Sequence, residues 1–401
     1  MTDMGQFATT LFQLMKPSDD STSEGWKNYN NELIRAWYTA RHYVRTHIAE
    51  WEKHWRGNGN ESFRIAVRGG STLSRALVRH LALMMHYPHF DEDNQSTRSV
   101  ITILYEGNAN LSKLKGEARK LMNPDYLGNL MKYSDFTVEA PDGRFSQKGL
   151  SFLDIVFELK AVKHFEDHKE GLLLPDDSLI YKDVKAALGH IPEEFGERDV
   201  ERGILVNSAY NLGDTINNLP SEDNDTPVRY NIALDYLRGV HRKTRIDDWN
   251  RDFGPDGSIH PVKLRQRLSS IFSGDTFESH IRGLMNYYGE INYRYMLNNA
   301  RNIRCALREN LNRLARTEHA RWNAEKLILG FRPLNAEEAL EDELAMSQRN
   351  SRRSALKKRA EDPAHIDIAS YRDLKRINPQ DMKYDCFIIL AIPYILRTNL
   401  K

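Results

Sequence analysis

Residues 63–74 read FRIAVRGGSTLS, and this stretch decides the predicted fold. Its first five residues are mostly apolar and have the length of a short buried strand, which runs directly into Gly69 and Gly70. A helix pattern follows, in which Leu73 and Leu77 begin an apolar face. A strand that passes through a glycine turn into a helix is the opening unit of a doubly wound α/β sheet.

Similar patterns on both sides extend this prediction. Helices are predicted at 30–55, where an aromatic face should pack against the following domain, and at 111–122. Strands are predicted at 99–105, 135–139, 150–160, 203–207 and 228–234. We therefore expect an N-terminal linker and helix (1–59), a Rossmann-like α/β domain (60–240), a helical connector (241–304) and a small all-α domain (305–401).

The composition is that of an ordinary folded protein. The chain has 401 residues, 40% of them apolar and 28% charged, with a net charge of +1. This near-neutral balance argues against a dedicated nucleic-acid binder, because such binding relies on an excess of basic residues. The two cysteines, Cys305 and Cys386, cannot build a disulfide framework, which indicates a reducing cytoplasm. The sequence shows neither a signal-peptide pattern nor a membrane-spanning apolar run, so no membrane association is expected.

The glycine turn is a candidate nucleotide site. A dinucleotide-binding turn has glycine at three spaced positions, and here Ser71 and Ser74 occupy the second and third. Serine is small enough for close packing, and the free amides of a helix N-terminus favour an anion. An acidic residue after the second strand can hold a ribose, and Glu106 lies there. The candidate cofactor-binding residues are Gly69, Gly70, Ser71, Thr72, Ser74 and Glu106.

Residues 60–140, with this eroded glycine motif, resemble the nucleotide-binding domains of the TrkA-N type that regulate potassium transport. Two interpretations stay open. The turn binds a nucleotide, or the domain is structural and its ligand site has been lost or rebuilt, since a fold does not carry its function with it.

A second candidate site lies on a helix near the C-terminus. Residues 314–331 read LARTEHARWNAEKLILGF, which predicts a helix ended by Gly330. His319, Trp322 and Lys326 are spaced to share one face of this helix. A hydrogen-bonding imidazole, a stacking ring and a cation would suit a nucleobase with an attached phosphate, and equally a peptide carboxylate. The alternative is a structural role, in which the tryptophan packs in the core and the lysine is solvated.

The same helix resembles the signature of the RyR domain, the small helical repeat of ryanodine receptors. The matching positions are Leu314, Ala315, His319, Trp322, Lys326 and Gly330, with Phe331 in place of the usual tryptophan, followed by His365, Tyr371, Leu374, Asp385, Pro393 and Leu396. The family's following Tyr-Gly is absent, because the chain continues Arg332-Pro333. A charged insertion at 335–362, acidic and then basic, is longer than the family's connection and is interpreted as a solvated segment.

The resemblance covers residues 310–401 and implies a non-catalytic module. In bacteria such domains occur beside Rossmann-type domains and predicted defence components, where they are thought to sense nucleotide-derived ligands. The ligand-binding residues implied by the RyR-type face are His319, Trp322, Lys326, Phe331, Tyr371 and Asp385.

Patterns for catalysis and for metal binding are weak. His164 and His168 have metal-ligand spacing, but the glutamate of a zincin motif is absent. His86 and His89 flank a proline that suggests a loop. Neither a nucleophile elbow nor a phosphate-binding P-loop occurs in the sequence. We therefore assign no catalytic and no metal residues, and leave the cofactor unidentified.

The sequence as a whole favours a cytoplasmic, prokaryotic sensor that binds a nucleotide-like ligand and acts on a protein partner or a second copy of the chain. One alternative is a scaffold whose RyR-type face grips a peptide or subunit. The other is an NAD(P)-dependent enzyme with a degenerate glycine turn, for which cofactor absorbance in the purified protein would be diagnostic.

Overall fold

The computed structural model has a mixed α/β fold, in which helices pack against a single six-stranded, mostly parallel sheet. This architecture is compatible with the predicted Rossmann-like domain. The structure describes residues 24–55, 62–89, 98–193, 195–215, 229, 232–235, 251, 261–285, 292, 299–335, 337–341 and 363–397.

The sheet has the strand order β4-β3-β5-β2-β1-β6. Strand β4 is antiparallel to β3, and the remaining neighbours are parallel. The strands are β1 (Arg64–Arg68), β2 (Ser99–Glu106), β3 (Asp135–Ala140), β4 (Gly143–Gln147), β5 (Ile155–Val162) and β6 (Leu172–Leu173). Strands β1, β2, β3 and β5 confirm predicted strands, although β5 begins five residues later than its apolar pattern.

The direction in which strands are added reverses at β1. The chain places β2 on one side of β1 and later returns to place β6 on the other side. Both pairings are parallel, so the carboxyl ends of β1 and β6 lie at the same edge of the sheet. In open α/β sheets, ligands bind in the crevice at such a reversal. The turn of Gly69 and Gly70 leads out of β1 at this edge.

The helices account for most of the remaining described residues. They are α1 (Glu24–Trp55), α2 (Thr72–Met84), α3 (Leu111–Leu121), α4 (Asn129–Tyr133), α5 (Asp177–Leu188), α6 (Glu197–Thr215), α7 (Pro261–Gly283), α8 (Ala300–Glu309), α9 (Leu311–Ile328), α10 (Tyr371–Ile377) and α11 (Met382–Arg397). Among them, none combines the length and the apolar character needed to cross a bilayer.

Helix α1 packs along α2 and turns its aromatic face into the core, as the sequence predicted. Trp37, Tyr38 and Ile48 are almost completely buried. The ring of Trp37 lies 4.4 Å from that of His80 on α2, edge to face. Burying each of these side chains stabilises the fold by about 1.5–3 kcal/mol.

Helix α7 lies inside the molecule and is held by buried ion pairs. Asp275 accepts a hydrogen bond of 2.7 Å from Arg41 of α1, and Arg282 donates one of 2.5 Å to Glu52 of the same helix. Buried charges are tolerated only when they are paired and hydrogen-bonded. These contacts therefore fix the position of α7 against α1.

The C-terminal helices share the core of the α/β part. Leu327 and Phe331 belong to the same cluster of buried side chains as Ile65 of β1, because α9 packs against α2 and α4. A second cluster joins α6, α7, α8, α9 and α11. The segment at 305–401 is also not purely helical, since β7 (Arg332–Pro333) pairs with β8 (Ala364–His365) in a two-stranded sheet.

The strands predicted at 203–207 and 228–234 are wrong. Residues 203–207 lie within helix α6, and residues 232–235 are helical as well. Ile204, Leu205 and Val206 are all buried, because α6 is covered by α7 and by α11. A helix buried on several sides has the same continuous apolar run as a buried strand, so periodicity alone could not separate them.

Two features of the sheet region were missed: the hairpin strand β4, and the unit of β6 followed by α5. The sheet's last strand, β6, ends at Leu173, well before residue 240. Most of the predicted charged insertion, residues 342–362, lies outside the described residues.

Candidate functional site

A cleft of about 780 Å³ opens beside the glycine turn, where β1 and β6 end. The start of α2, helix α5 and the N-terminal part of α1 form its walls. Its volume falls within the range of about 300–1,000 Å³ that is usual for small-molecule sites. The lining residues are Asn31, Glu32, Arg35, Ser71, Thr72, Leu73, Asp177, Tyr181, Lys182, Lys185 and Ile191.

The local sequence determines how the chain leaves β1 and begins α2, which forms one wall of the cleft. Gly69 has a φ of +65°, a backbone conformation that side chains disfavour, so glycine permits the sharp exit from β1. Ser71 is the N-cap of α2, and its hydroxyl accepts a hydrogen bond of 3.0 Å from the amide of Ser74. A Cβ at Gly70 would lie 3.2 Å from the hydroxyl of Tyr105, which leaves little room for a side chain.

The predicted turn residues therefore divide into two groups. Ser71 and Thr72 line the cleft, as expected for a ligand site. Ser74 is buried, and its hydroxyl donates 2.6 Å to the carbonyl of Arg68 at the end of β1. Serine here joins strand to helix, which matches the close-packing role expected at this position of the motif.

Glu106 lies apart from the cleft. Its carboxylate accepts a hydrogen bond of 3.1 Å from the amide of Phe165, in the turn after β5, and lies 3.9 Å from the ring of His164. Strand β2 pairs with β1 on the side opposite β6, and Glu106 is not among the residues that line the cleft. The structure thus does not bring Glu106 together with Ser71 and Thr72.

Helix α5 supplies groups that the sequence prediction missed. Asp176 caps the helix by accepting 3.0 Å from the amide of Leu179. Asp177, Tyr181 and Lys185 are spaced four residues apart and therefore form one stripe, which faces the cleft. The signal was present as a short leucine run, a proline and an Asp-Asp-Ser cap at 172–178, a typical end of a strand and start of a helix.

The cleft has mixed charge. Arg35, Lys182 and Lys185 are basic, while Glu32 and Asp177 are acidic. Burial raises the pKa of Asp177 and Asp176 raises it further, while a hydrogen bond with the Ser71 hydroxyl acts in the opposite direction. Burial also raises the pKa of Tyr181, with Asp177 contributing. Ionisable groups with shifted pKa values in a cleft are typical of ligand sites.

The RyR-type candidates form a second cluster, on the C-terminal helices. His319 stacks on Trp322 at 5.6 Å and lies 5.6 Å from the ring of Tyr371. The ammonium of Lys326 lies 5.2 Å from the ring centre of Trp322 and 5.8 Å from that of Phe331. All six predicted residues are thus neighbours, because Asp385 in turn contacts His319 at 3.2 Å.

The polar groups of this cluster already have partners within the protein. His319 is buried, with Nδ1 facing the Asp385 carboxylate and Nε2 donating 3.1 Å to the carbonyl of Ala369. Burial alone would lower the pKa of His319, but Asp385, Asp367 and the Ala369 carbonyl raise it above its ordinary value. Since both nitrogens face acceptors, the ring is suited to carry two protons.

Lys326 is likewise turned inward. It donates 2.7 Å to Glu325 and 3.3 Å to the hydroxyl of Ser269 on α7. Glu325 also accepts 2.7 Å from Arg321, which donates to Glu318 as well. This face of α9 is therefore a buried charge network rather than an open cationic surface.

A second cavity beside the RyR-type cluster is small. It measures about 10 Å³, room for roughly one water molecule, and Thr317, His319, Asn323 and Tyr371 contribute to its walls. The side-chain oxygen of Asn323 is buried there and has no hydrogen-bond partner among the residues that the structure describes. A nucleotide could enter only if α9 and its neighbours moved.

Metal-binding groups are not assembled within the described residues, where no three His, Cys, Asp or Glu side chains are placed to hold an ion. His86 instead bonds to Asp154 at 2.5 Å and to the carbonyl of Ala82 at 2.6 Å. Residues 165–167 form a short 3-10 turn between His164 and His168.

The chain was also compared with known proteins. Comparisons with protein families, with curated proteins and with solved structures give no match. The geometry of the cleft and of the RyR-type cluster is therefore the basis for any functional assignment.

Proposed function

We propose that this protein is a non-catalytic sensor that binds a nucleotide-derived ligand in the cleft between α1, α2 and α5. The observation that carries the proposal is the cleft itself: it measures about 780 Å³, has three basic side chains in its lining, and lies where β1 and β6 end. Lys182, Lys185 and Arg35 would meet the phosphates of the ligand, and Tyr181 would stack on its base.

The cleft is a better place for the ligand than the RyR-type face. The cavity beside His319 has room for about one water molecule, and Lys326 is paired with Glu325. In this proposal the C-terminal helices form a RyR-type module that responds to the ligand. Trp322, His319 and Lys326 would contact a ligand or partner only after α9 had moved.

Contacts between the two regions support such a response. Helix α2 begins at the cleft, is buried along most of its length, and packs against α9. The side-chain amide of Asn129 on α4 also donates to the carbonyls of Gly330 and Phe331, at 2.9 and 2.8 Å, in the turn after α9. A shift of α2 on ligand binding would therefore press directly on α9.

A thermal-shift screen of the full chain tests the binding step. The ligands are ATP, ADP-ribose, NAD, NADP and cyclic mono- and dinucleotides. A ligand at about 100 times its Kd should stabilise the fold by about 2.7 kcal/mol and raise the melting temperature by several degrees. If none of these nucleotides shifts the melting of the folded protein, the sensor proposal is wrong and a scaffold role is favoured.

Two double variants locate the site. Lys182→Ala/Lys185→Ala should weaken binding by at least roughly 100-fold, since each charge-assisted hydrogen bond contributes about 1.5–3 kcal/mol. Lys113→Ala/Lys375→Ala removes two exposed lysines elsewhere and should leave the affinity unchanged. Equal weakening by both pairs would indicate nonspecific charge attraction instead of binding in the cleft.

A further inference from the structure

Asp177 lies in the same cleft as Ser71, the N-cap of α2. A helix N-terminus attracts anions, but here a carboxyl group shares the cleft with it. A ligand phosphate bound at the start of α2 would therefore meet like charge from Asp177. This repulsion disfavours the start of α2 as the phosphate site.

The basic groups of α5 lie further along the cleft. Lys182 and Lys185 follow Asp177 by five and eight residues, which at about 1.5 Å per residue puts them about 7 and 12 Å along the helix axis. One ligand can reach both ends only if its anionic part and its donor groups are separated by a comparable span. A nucleoside 5′-phosphate has this layout, with the phosphate on one side of the sugar and hydroxyl groups on the other.

The chemistry of Asp177 identifies the group that it would hold. A carboxylate accepts hydrogen bonds, and its two oxygens suit the two neighbouring hydroxyls of a ribose. Tyr181 lies one helical turn from Asp177 on the same stripe, so a base attached to that ribose can stack on the phenol ring. A sugar without the 2′-hydroxyl leaves an acceptor unpaired, and a 2′-phosphate places an anion against the carboxylate.

We infer that Asp177 is the specificity-determining residue of the cleft and selects ribonucleotides with a free 2′,3′-diol, oriented with the phosphate toward Lys182 and Lys185. This inference rests on the proposed nucleotide-binding function. It reverses the expectation that the N-terminus of α2 holds the phosphate. It also gives the ribose contact to Asp177 instead of Glu106.

Matched ligand pairs test this selection in the full chain. Isothermal titration would compare ATP with 2′-deoxy-ATP, and NAD with NADP. The wild-type protein should bind the ligand with the free diol at least about tenfold more tightly in each pair, the loss expected for one hydrogen bond to a charged group. In Asp177→Asn the preference should fall below about threefold, mainly because the unmodified ligands bind less tightly.

Asp183→Asn is the control variant. Asp183 is an exposed acid on the same helix, outside the cleft, so its replacement should leave the preference unchanged. Circular dichroism would verify that both variants are folded.

The possible outcomes separate the two proposals. Lysine-dependent binding that ignores the 2′ position, or a preference that survives in Asp177→Asn, would overturn the inference and leave the sensor proposal standing. Failure of every nucleotide to bind would overturn both.

Discussion

Glu318 offers the sharpest test of how this fold is held together. It is fully buried on α9, where its carboxylate accepts hydrogen bonds from Arg321 at 3.0 Å, from His280 at 2.9 Å and from Ser273 at 3.0 Å. Burial alone would raise the pKa of Glu318, but Arg321 and His280 lower it from 4.5 to about 2. At about 1.4 kcal/mol per pKa unit, the charged form contributes about 3 kcal/mol to stability.

The substitution Glu318→Gln removes this charge and keeps the shape. The pKa is lower in the folded state, so the stabilisation is present above the unfolded pKa of about 4.5 and is lost as the pH falls toward 2. We expect the variant to be about 3 kcal/mol less stable than the wild type at pH 7, and the difference to shrink below pH 4.5. The range of about 3–5 kcal/mol for breaking a buried ion pair is consistent with this figure.

Urea unfolding followed by circular dichroism, at a series of pH values from 7 to 3, measures this difference. Glu50→Gln, which alters an exposed glutamate on α1, is the control and should change stability by less than about 0.5 kcal/mol. A difference below about 1 kcal/mol at pH 7, or one independent of pH, would refute the reasoning.

Two further predictions concern packing and a buried histidine. A Cβ at Gly203 would lie 2.8 Å from Ile271, so Gly203→Ala should lower the free energy of unfolding by about 1–3 kcal/mol. Gly116 is in an open helical position, so Gly116→Ala should raise the free energy of unfolding by about 0.5–1 kcal/mol. Urea titration measures the free energy of unfolding of both variants, and an equal change in the two would contradict the packing argument. The pKa of His319 is higher in the folded protein than its ordinary value of 6.5. The protonated ring therefore contributes its full stabilisation of the fold below pH 6.5, and this contribution is lost as the pH rises through the pKa of the folded state. The stability gap between wild type and His319→Gln should therefore narrow above pH 6.5, and Asp385→Asn should move that narrowing to lower pH; a gap that widens would contradict the assignment.

The buried network on α9 also bears on the proposed response. Glu318, Arg321, Glu325 and Lys326 join α9 to α7 through His280 and Ser269. These bonds are directional, so α9 can move only if the network exchanges partners together. Such a requirement favours two discrete positions of the helix over a continuous range. It provides a physical basis for a sensor that switches.

Local sequence determined the elements whose patterns are unambiguous. The apolar run and glycine turn at 63–74 predicted β1 and the start of α2, and the aromatic stripe predicted a packed α1. The spacing of His319, Trp322 and Lys326 predicted a shared helix face, and those side chains do lie together. These predictions hold because the periodicity of a sequence reports which side of a single element is buried and which residues share one face.

Tertiary structure alone decided which elements meet and what each face touches. The run at 203–207 is a helix because α7 and α11 cover it, and Glu325 and Ser269 turn Lys326 away from solvent. The cleft arises only when β6 returns beside β1 and brings Asp177 and Ser71, two residues far apart in the chain, into one cleft. A sequence pattern records that a residue is buried or polar, whereas its partner depends on long-range packing that no local window contains.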